Sequence, residues 1–264
     1  MPRLTSRQRR GRSALKRFLY SQLAQRDALM IAFGKQNPLV HFIVEAEPPS
    51  VYWNFEIRPD RIEDLQRDLD CPLPLTPLRC LEGEDPFYCI TLNMYRVSGL
   101  AVGIRAEWSA FVRDSGGTTR YMVIEAAADS GAVDPINLIT RGGEASHVED
   151  GNTLTSDVVD ASGGRFHSVL QAPHEGQACR ADPEWVEAND YIYWLNGICD
   201  RTFYDSGMAN AKIHLVSPDR CKLEDTTRWA SYLEPQPRHV VVYEHAIEFA
   251  MSPWWNVRDR DLEG

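Results

Sequence analysis

Residues 99–126 read GLAVGIRAEWSAFVRDSGGTTRYMVIEA. Two strand-like stretches flank the turn at Ser115-Gly116-Gly117, the pattern of an antiparallel pair. Alternate residues of a strand share a face. Over 101–112, Val102, Ile104, Ala106, Trp108, Ala110 and Val112 form a wholly apolar set that has to be buried. The other set, Ala101, Gly103, Arg105, Glu107, Ser109 and Phe111, is small and polar with two opposite charges. On a one-sided sheet that second face is simply wet. In a barrel or cone it lines the interior, where burial and a neighbouring arginine would tune the glutamate. The sequence leaves both readings open, and the function turns on which holds.

The flanking chain has the same texture. Strand chemistry appears in LVHFIVEA and VYWNFEI, separated by Pro48-Pro49, in FYCITLNMY, and later in RFHSVLQA, AKIHLVS and HVVVYEHAIEFAM. Links in the 87–124 region are too short for parallel crossovers, which favours antiparallel pairing. Helices are few. One is expected over 13–33, where Leu15, Phe18, Leu19, Leu23 and Leu29 recur at helical spacing. RPDRIEDLQRDL places Ile62, Leu65 and Leu69 on one helical face. A third is expected within DPEWVEANDYIYWLN, capped by Asp182 with Pro183 in its first turn. CPLPLTPL must run extended, and residues 129–165 read as irregular. The expected fold is α+β and mainly antiparallel β: a closed or cone-like barrel or sandwich with peripheral helices and an N-terminal helical arm. Residues 1–37 form that basic arm and 38–264 a single β domain.

The 264 residues, 43% hydrophobic and 25% charged, make an ordinary globular composition. The net charge is −10, yet residues 1–17 hold seven basic residues and no acid, which leaves −17 on the remainder. Such an arm suits nucleic acid or an anionic membrane, an organelle-targeting segment, or a solubilising tail. The acidic body opposes a polyanion, so neither nucleic acid nor membrane is expected as a partner. With no apolar run of membrane-spanning length and no secretion signal, the expected location is cytoplasmic. The six cysteines form no CxxC pair and are expected to be free thiols. No GxSxG, HExxH, P-loop or GxGxxG motif occurs, and the seven histidines are scattered. No cofactor and no metal site is expected.

In order and texture, NFEIRPDRIEDLQRDLDCPLPLTP, FYCITLNMYRVSGLAVGIRAEWSAFV and GGTTRYMVIEA resemble the acetoacetate decarboxylase-like superfamily over about residues 50–170. The resemblance implies a cone-like antiparallel fold with an enclosed small-molecule cavity. It also implies that Glu107 stands at the active-site glutamate and Arg58 at a substrate-facing arginine. The chain departs from the family at its Schiff-base lysine. The corresponding stretch is TRGGEASHVEDGN, which holds Arg141 and a Gly pair but no lysine, with His147 nearest the position. Without an amine there, no imine can form at that point. Of the four lysines, only Lys212, in the strand-like NAKIHLV, is a substitute nucleophile; its alternative role is an exposed lysine discouraging edge pairing.

The expectation is a lyase-like enzyme acting on a small organic acid or keto acid without the family's lysine. Its site residues would be Glu107, His147 and Lys212 as catalytic groups, and Arg58, Arg105 and Arg141 as carboxylate-binding groups. The alternative is a non-catalytic small-ligand-binding protein of the same fold. The expected partner is a small organic acid ligand, with a homo-oligomer left open.

Overall fold

The structure is a computed structural model that describes residues 42–99, 102–114, 116–129, 144–189, 191–195, 199–206, 208 and 211–251. The basic arm and the helix expected over 13–33 lie outside the described residues. Within them the fold is α+β and mostly antiparallel β with few helices, as the sequence predicts.

The larger sheet is built on β1 (Phe42–Glu56), β2 (Cys89–Gly99), β3 (Gly103–Arg113) and β4 (Thr119–Ala128), which pair in that order. β9 (Tyr191–Leu195), β10 (Cys199–Ser206) and β14 (Ile247–Met251) continue it beyond β4. β13 (His239–Tyr243), β11 (Ile213–Val216) and β8 (Gln177–Cys179) extend it on the other side of β1. β14 also pairs with the first part of β1, Phe42–Ala46, while β13 pairs with Ser50–Asn54. These two neighbours meet where the β1–β2 register shifts, between Glu47 and Val51. Pro48 and Pro49 sit there, and prolines cannot donate to a ladder. The two strands expected on either side of the proline pair are therefore one strand with a break. The β4–β9 pairing is parallel, whereas the other pairings of this sheet are antiparallel.

The smaller sheet orders β12 (Cys221–Asp225), β7 (Arg165–Gln171), β6 (Thr153–Val159) and β5 (Ala145–Asp150). Residues 145–159, expected to be irregular, are a hairpin turning at Gly151, whose φ of +59° a side chain would disfavour. The sequence hides the alternation of β6: Leu154, Ser156 and Val158 are buried, but Thr153, Thr155 and Asp157 on the outer face are small polar residues that blur the period.

The second sheet covers the apolar face of the first. Trp53, Leu92, Met94 and Trp108 pack in one core with Leu154, Val158, Phe166 and Leu170, and Trp53 meets Phe166 edge-on at 5.2 Å. Helix α1 (Ile62–Leu69) closes the end of this layer with Leu65 and Leu69, and Asp64 pairs with Arg61 and Arg67 on its exposed side. The proline-rich segment then runs extended along β3, with Thr76 N–H donating to the Phe111 carbonyl and Arg113 N–H to that of Pro74. Helix α2 (Pro183–Ala188) begins as expected, with the Asp182 carboxylate accepting from Glu184 N–H at 2.9 Å. It is short and ends at Ala188, before the aromatic run of that stretch. Tyr191–Leu195 is strand β9, consistent with the β preference of adjacent aromatic and β-branched residues.

Trp108 is 1% exposed in the layer between the sheets. Trp108→Ala should cost about 3–5 kcal/mol, the range for emptying a large aromatic site. Urea unfolding should show a lowered midpoint with an unchanged slope.

Candidate functional site

Burying Trp108 turns Glu107 to the opposite face, and that face is buried too. Strand pairing assembles it in rungs. One rung runs Tyr52, Asn93, Glu107, Ala126 across β1 to β4; the next holds Tyr95, Arg105, Ala128; the one on the other side holds Asn54, Thr91, Ser109. The residues opposite the two charges on β4 are both alanines, so no bulky β4 side chain stands against the pair. Tyr121 joins from β4, its hydroxyl 3.4 Å from Asn93 Oδ1. Tyr52 packs edge-on to Trp185 at 5.5 Å and lies 5.1 Å from Tyr243.

Arg105 Nε donates to Glu107 Oε1 at 2.5 Å, with side chains 12% and 6% exposed. The sequence reading's wet face is thus a nearly dry face carrying an ion pair. Desolvation of two charges is costly, and geometry with further hydrogen bonds has to offset it. The phenols contribute here. Tyr95 hydrogen-bonds Glu107. Burial raises the Tyr52, Tyr95 and Tyr121 hydroxyls well above an ordinary phenol, and the Glu107 charge raises them further. They therefore stay protonated as neutral hydrogen-bond donors. The arrangement combines one cation, one carboxylate and three phenols, with the amides of Asn54 and Asn93 and the hydroxyls of Thr91 and Ser109 beside them.

The remaining sequence-predicted residues lie elsewhere. Arg58 follows β1, about 20 Å along the strand from Tyr52 by strand rise, and its Nη2 donates to the Ser231 carbonyl. His147 belongs to β5, on the side of the large sheet occupied by Trp53 and Trp108 rather than Glu107. Its Nε2 is 2.8 Å from the Pro49 carbonyl and its Nδ1 2.9 Å from Ser156 Oγ. A carbonyl only accepts, so Nε2 carries the proton and Nδ1 accepts from Ser156. Lys212 is exposed just before β11, and Lys222 on β12 is exposed as well. Among the described residues, therefore, no lysine is buried. Arg141 lies outside the described residues. Arg105 and Glu107 stand out in the sequence as candidates; Tyr52, Asn93, Tyr95 and Tyr121 do not. The available signal was parity: in VYWNFE and TLNM, Tyr52, Asn54 and Asn93 each stand between two apolar neighbours, as Glu107 does, and Tyr95 continues the alternation two residues after Asn93.

This architecture is the acetoacetate decarboxylase-like fold. A solved acetoacetate decarboxylase from Legionella pneumophila superposes with a TM-score of 0.55 at 12% identity, over 83% of this chain and 88% of that one. A second acetoacetate decarboxylase matches at TM-score 0.48 and 12% identity, over 81% and 88%. An acetoacetate decarboxylase-like enzyme from Sphingomonas wittichii RW1 matches at 0.49 and 10%, over 79% and 90%. No family model and no curated protein matches the sequence. Among the described residues, no helix is long and apolar enough to cross a membrane.

His147 gives a test of its placement. Burial pushes its pKa from 6.5 down to about 4. The fold thus holds it neutral, while the unfolded chain protonates it near pH 6.5. Its contribution is complete above pH 6.5 and is lost as pH falls toward 4, by up to ~3 kcal/mol. Urea unfolding at pH 7 and pH 4.5 should show a smaller acid loss in His147→Gln than in the parent. Equal losses would place the titration elsewhere.

Proposed function

We propose that this chain is a lyase-like enzyme acting on a small organic acid or keto acid at the Arg105–Glu107 pair, without a Schiff-base lysine. Residues 38–264 act as one domain, with the face bearing the pair as the wall of an enclosed cavity. The β14–β1 pairing supports that enclosure. The observation that carries the reading is the short ion pair, ringed by protonated phenols, on the face that a one-sided sheet would leave in water. The absence of a buried lysine among the described residues supports the departure from imine chemistry.

The geometry suggests how such a site works. One guanidinium cannot fully neutralise two carboxylates. A ligand carboxylate that takes Arg105 leaves Glu107 desolvated beside a like charge, which favours its uptake of a proton. Anion binding is then coupled to proton binding, and Glu107 becomes a general acid. For a β-keto acid the C–C bond to the carboxylate breaks, carbon dioxide leaves, and the electron pair passes into the ketone to give an enolate. Tyr95 or Tyr121 donates a hydrogen bond to the enolate oxygen, and Glu107 delivers its proton to carbon. The alternative, a ligand-binding protein with no turnover, is favoured by the same lack of a lysine.

Two measurements decide. Acetoacetate or pyruvate with borohydride should leave the intact mass unchanged; a reduced adduct would reinstate imine chemistry. Acetoacetate binding should take up one proton per chain, read by calorimetry in buffers of different ionisation enthalpy. Glu107→Gln keeps the shape and accepts from Arg105, so it should fold normally. It should lose proton uptake and, if the chain is an enzyme, about 10²–10⁴-fold in kcat. Binding by the parent without carbon dioxide release would select the ligand-binding alternative.

A further inference from the structure

At one end of the same face, the loop before β2 brings together four residues that the ion pair does not use. Cys80, Glu84 and His239 each offer a donor atom within 4.8 Å of the other two. The Cys89 thiol, at the start of β2, hydrogen-bonds that of Cys80. All four are substantially buried: Cys80 is 0% exposed, Cys89 1%, His239 8%, and the Glu84 side chain 14%. The two oxygens of Glu84 have separate tasks. Oε1 accepts from the backbone N–H groups of Cys80 and Leu81 at 2.7 and 2.8 Å, which fixes the carboxylate. Oε2 is left facing His239 Nε2 at 3.0 Å. His239 Nδ1 is buried and has no hydrogen-bond partner.

We propose that Cys80, Cys89, Glu84 and His239 form a structural zinc site. A carboxylate–imidazole clamp would account for Glu84 and His239. It would not account for two buried thiols in mutual contact beside them. Two sulfurs, one imidazole nitrogen and one carboxylate oxygen form a ligand set suited to tetrahedral Zn²⁺. Bond lengths of about 2.0–2.3 Å imply donor separations near 3.5 Å; Cys80, Glu84 and His239 already lie within 4.8 Å of one another, and Cys89, which touches Cys80, has to turn its sulfur in to join them. Both thiols release their protons to solvent as they coordinate. Two thiolates and a carboxylate leave the centre at −1. Arg238 stands beside that charge, 3.9 Å from Glu84 Oε2 and stacked over Phe87, and also pairs with Glu56 at 3.1 Å. Four protein ligands leave no open position, which makes the centre structural rather than catalytic. It ties the 80–89 loop to the start of β13. Cys89 stands four residues before Asn93, about 13 Å along β2 from the rung of Glu107.

The test uses the full chain. After exchange into zinc and removal of excess metal, elemental analysis should find about one zinc per chain. X-ray absorption of the unsubstituted protein should show two sulfurs among four ligands. Cobalt replacement should give a thiolate-to-metal charge-transfer band that is lost in Cys80→Ser and His239→Gln but kept in Cys221→Ser, a buried thiol in the other core. Failure to retain zinc, a shell without sulfur, a band indifferent to Cys80, or a Cys80–Cys89 disulfide in peptide mapping would each overturn the proposal. The absorption measurement decides even if the variants do not fold.

Discussion

Strand β3 is dry on both faces, and much of the structure follows from that constraint. A strand turns alternate side chains to opposite sides, so the tryptophan that anchors the sheet-to-sheet core forces its preceding neighbour, Glu107, onto the other side. On a one-sided sheet this would give a carboxylate in water. Here it gives a carboxylate with 6% exposure. Such a group has to be paired or to take up a proton. Arg105, two residues earlier, is the pairing that strand periodicity makes available. The alanines at 126 and 128 leave space on the next strand. The apolar packing behind β3 and the polar chemistry in front of it are thus two outcomes of one backbone period.

The dry surroundings also explain the tyrosines. In water a phenol beside a carboxylate gains little, because solvent serves both groups. In a buried setting each unmatched polar atom carries a desolvation cost. A phenol that donates to Glu107, as Tyr95 does, offsets part of it. The same proximity holds the phenol protonated. The carboxylate and burial together therefore keep the phenols neutral. The surface is polar in function while remaining neutral in net charge, and an arriving anion would disturb that balance.

How much of this was legible follows from which features are local. The opposition of Trp108 and Glu107 was readable, because parity along one strand needs only the sequence. The parity of Tyr52, Asn93 and Tyr95 was readable as well. Their assembly beside Glu107 was not, since it depends on the registers between β1, β2 and β3. Tyr191–Leu195 follows a capped helix start, Asp182-Pro183, closely enough to read as part of one segment; its strand character rests on pairing with β10, just after it, and with β4, some seventy residues earlier. β5 and β6 were missed because threonine, serine and aspartate on a solvent face weaken the alternation. Cys80, Cys89, Glu84 and His239 match no metal-binding spacing, since their approach depends on β1 lying between β2 and β13.

Glu125 shows why a carboxylate's neighbours, more than its burial, decide what it can do. It faces Trp108 across the β3–β4 pair, at a register shift that brings it to the apolar side of the sheet. At 0% exposure it is drier than Glu107. One oxygen accepts from Ala161 N–H; the other accepts from Arg228 Nε at 2.9 Å and Nη2 at 2.8 Å and from Trp229 Nε1 at 3.1 Å. These donors include two backbone or indole N–H groups with no alternative role, so a proton or a ligand there would have to displace bonds that join the two sheets. Glu107 is held by two side chains, the Arg105 guanidinium and the Tyr95 phenol, both on the large sheet, so its bonds do not join the two sheets. Of two buried glutamates placed almost side by side in the fold, one is bonded into the join between the sheets, and the other is held by side chains of a single sheet on its opposite face.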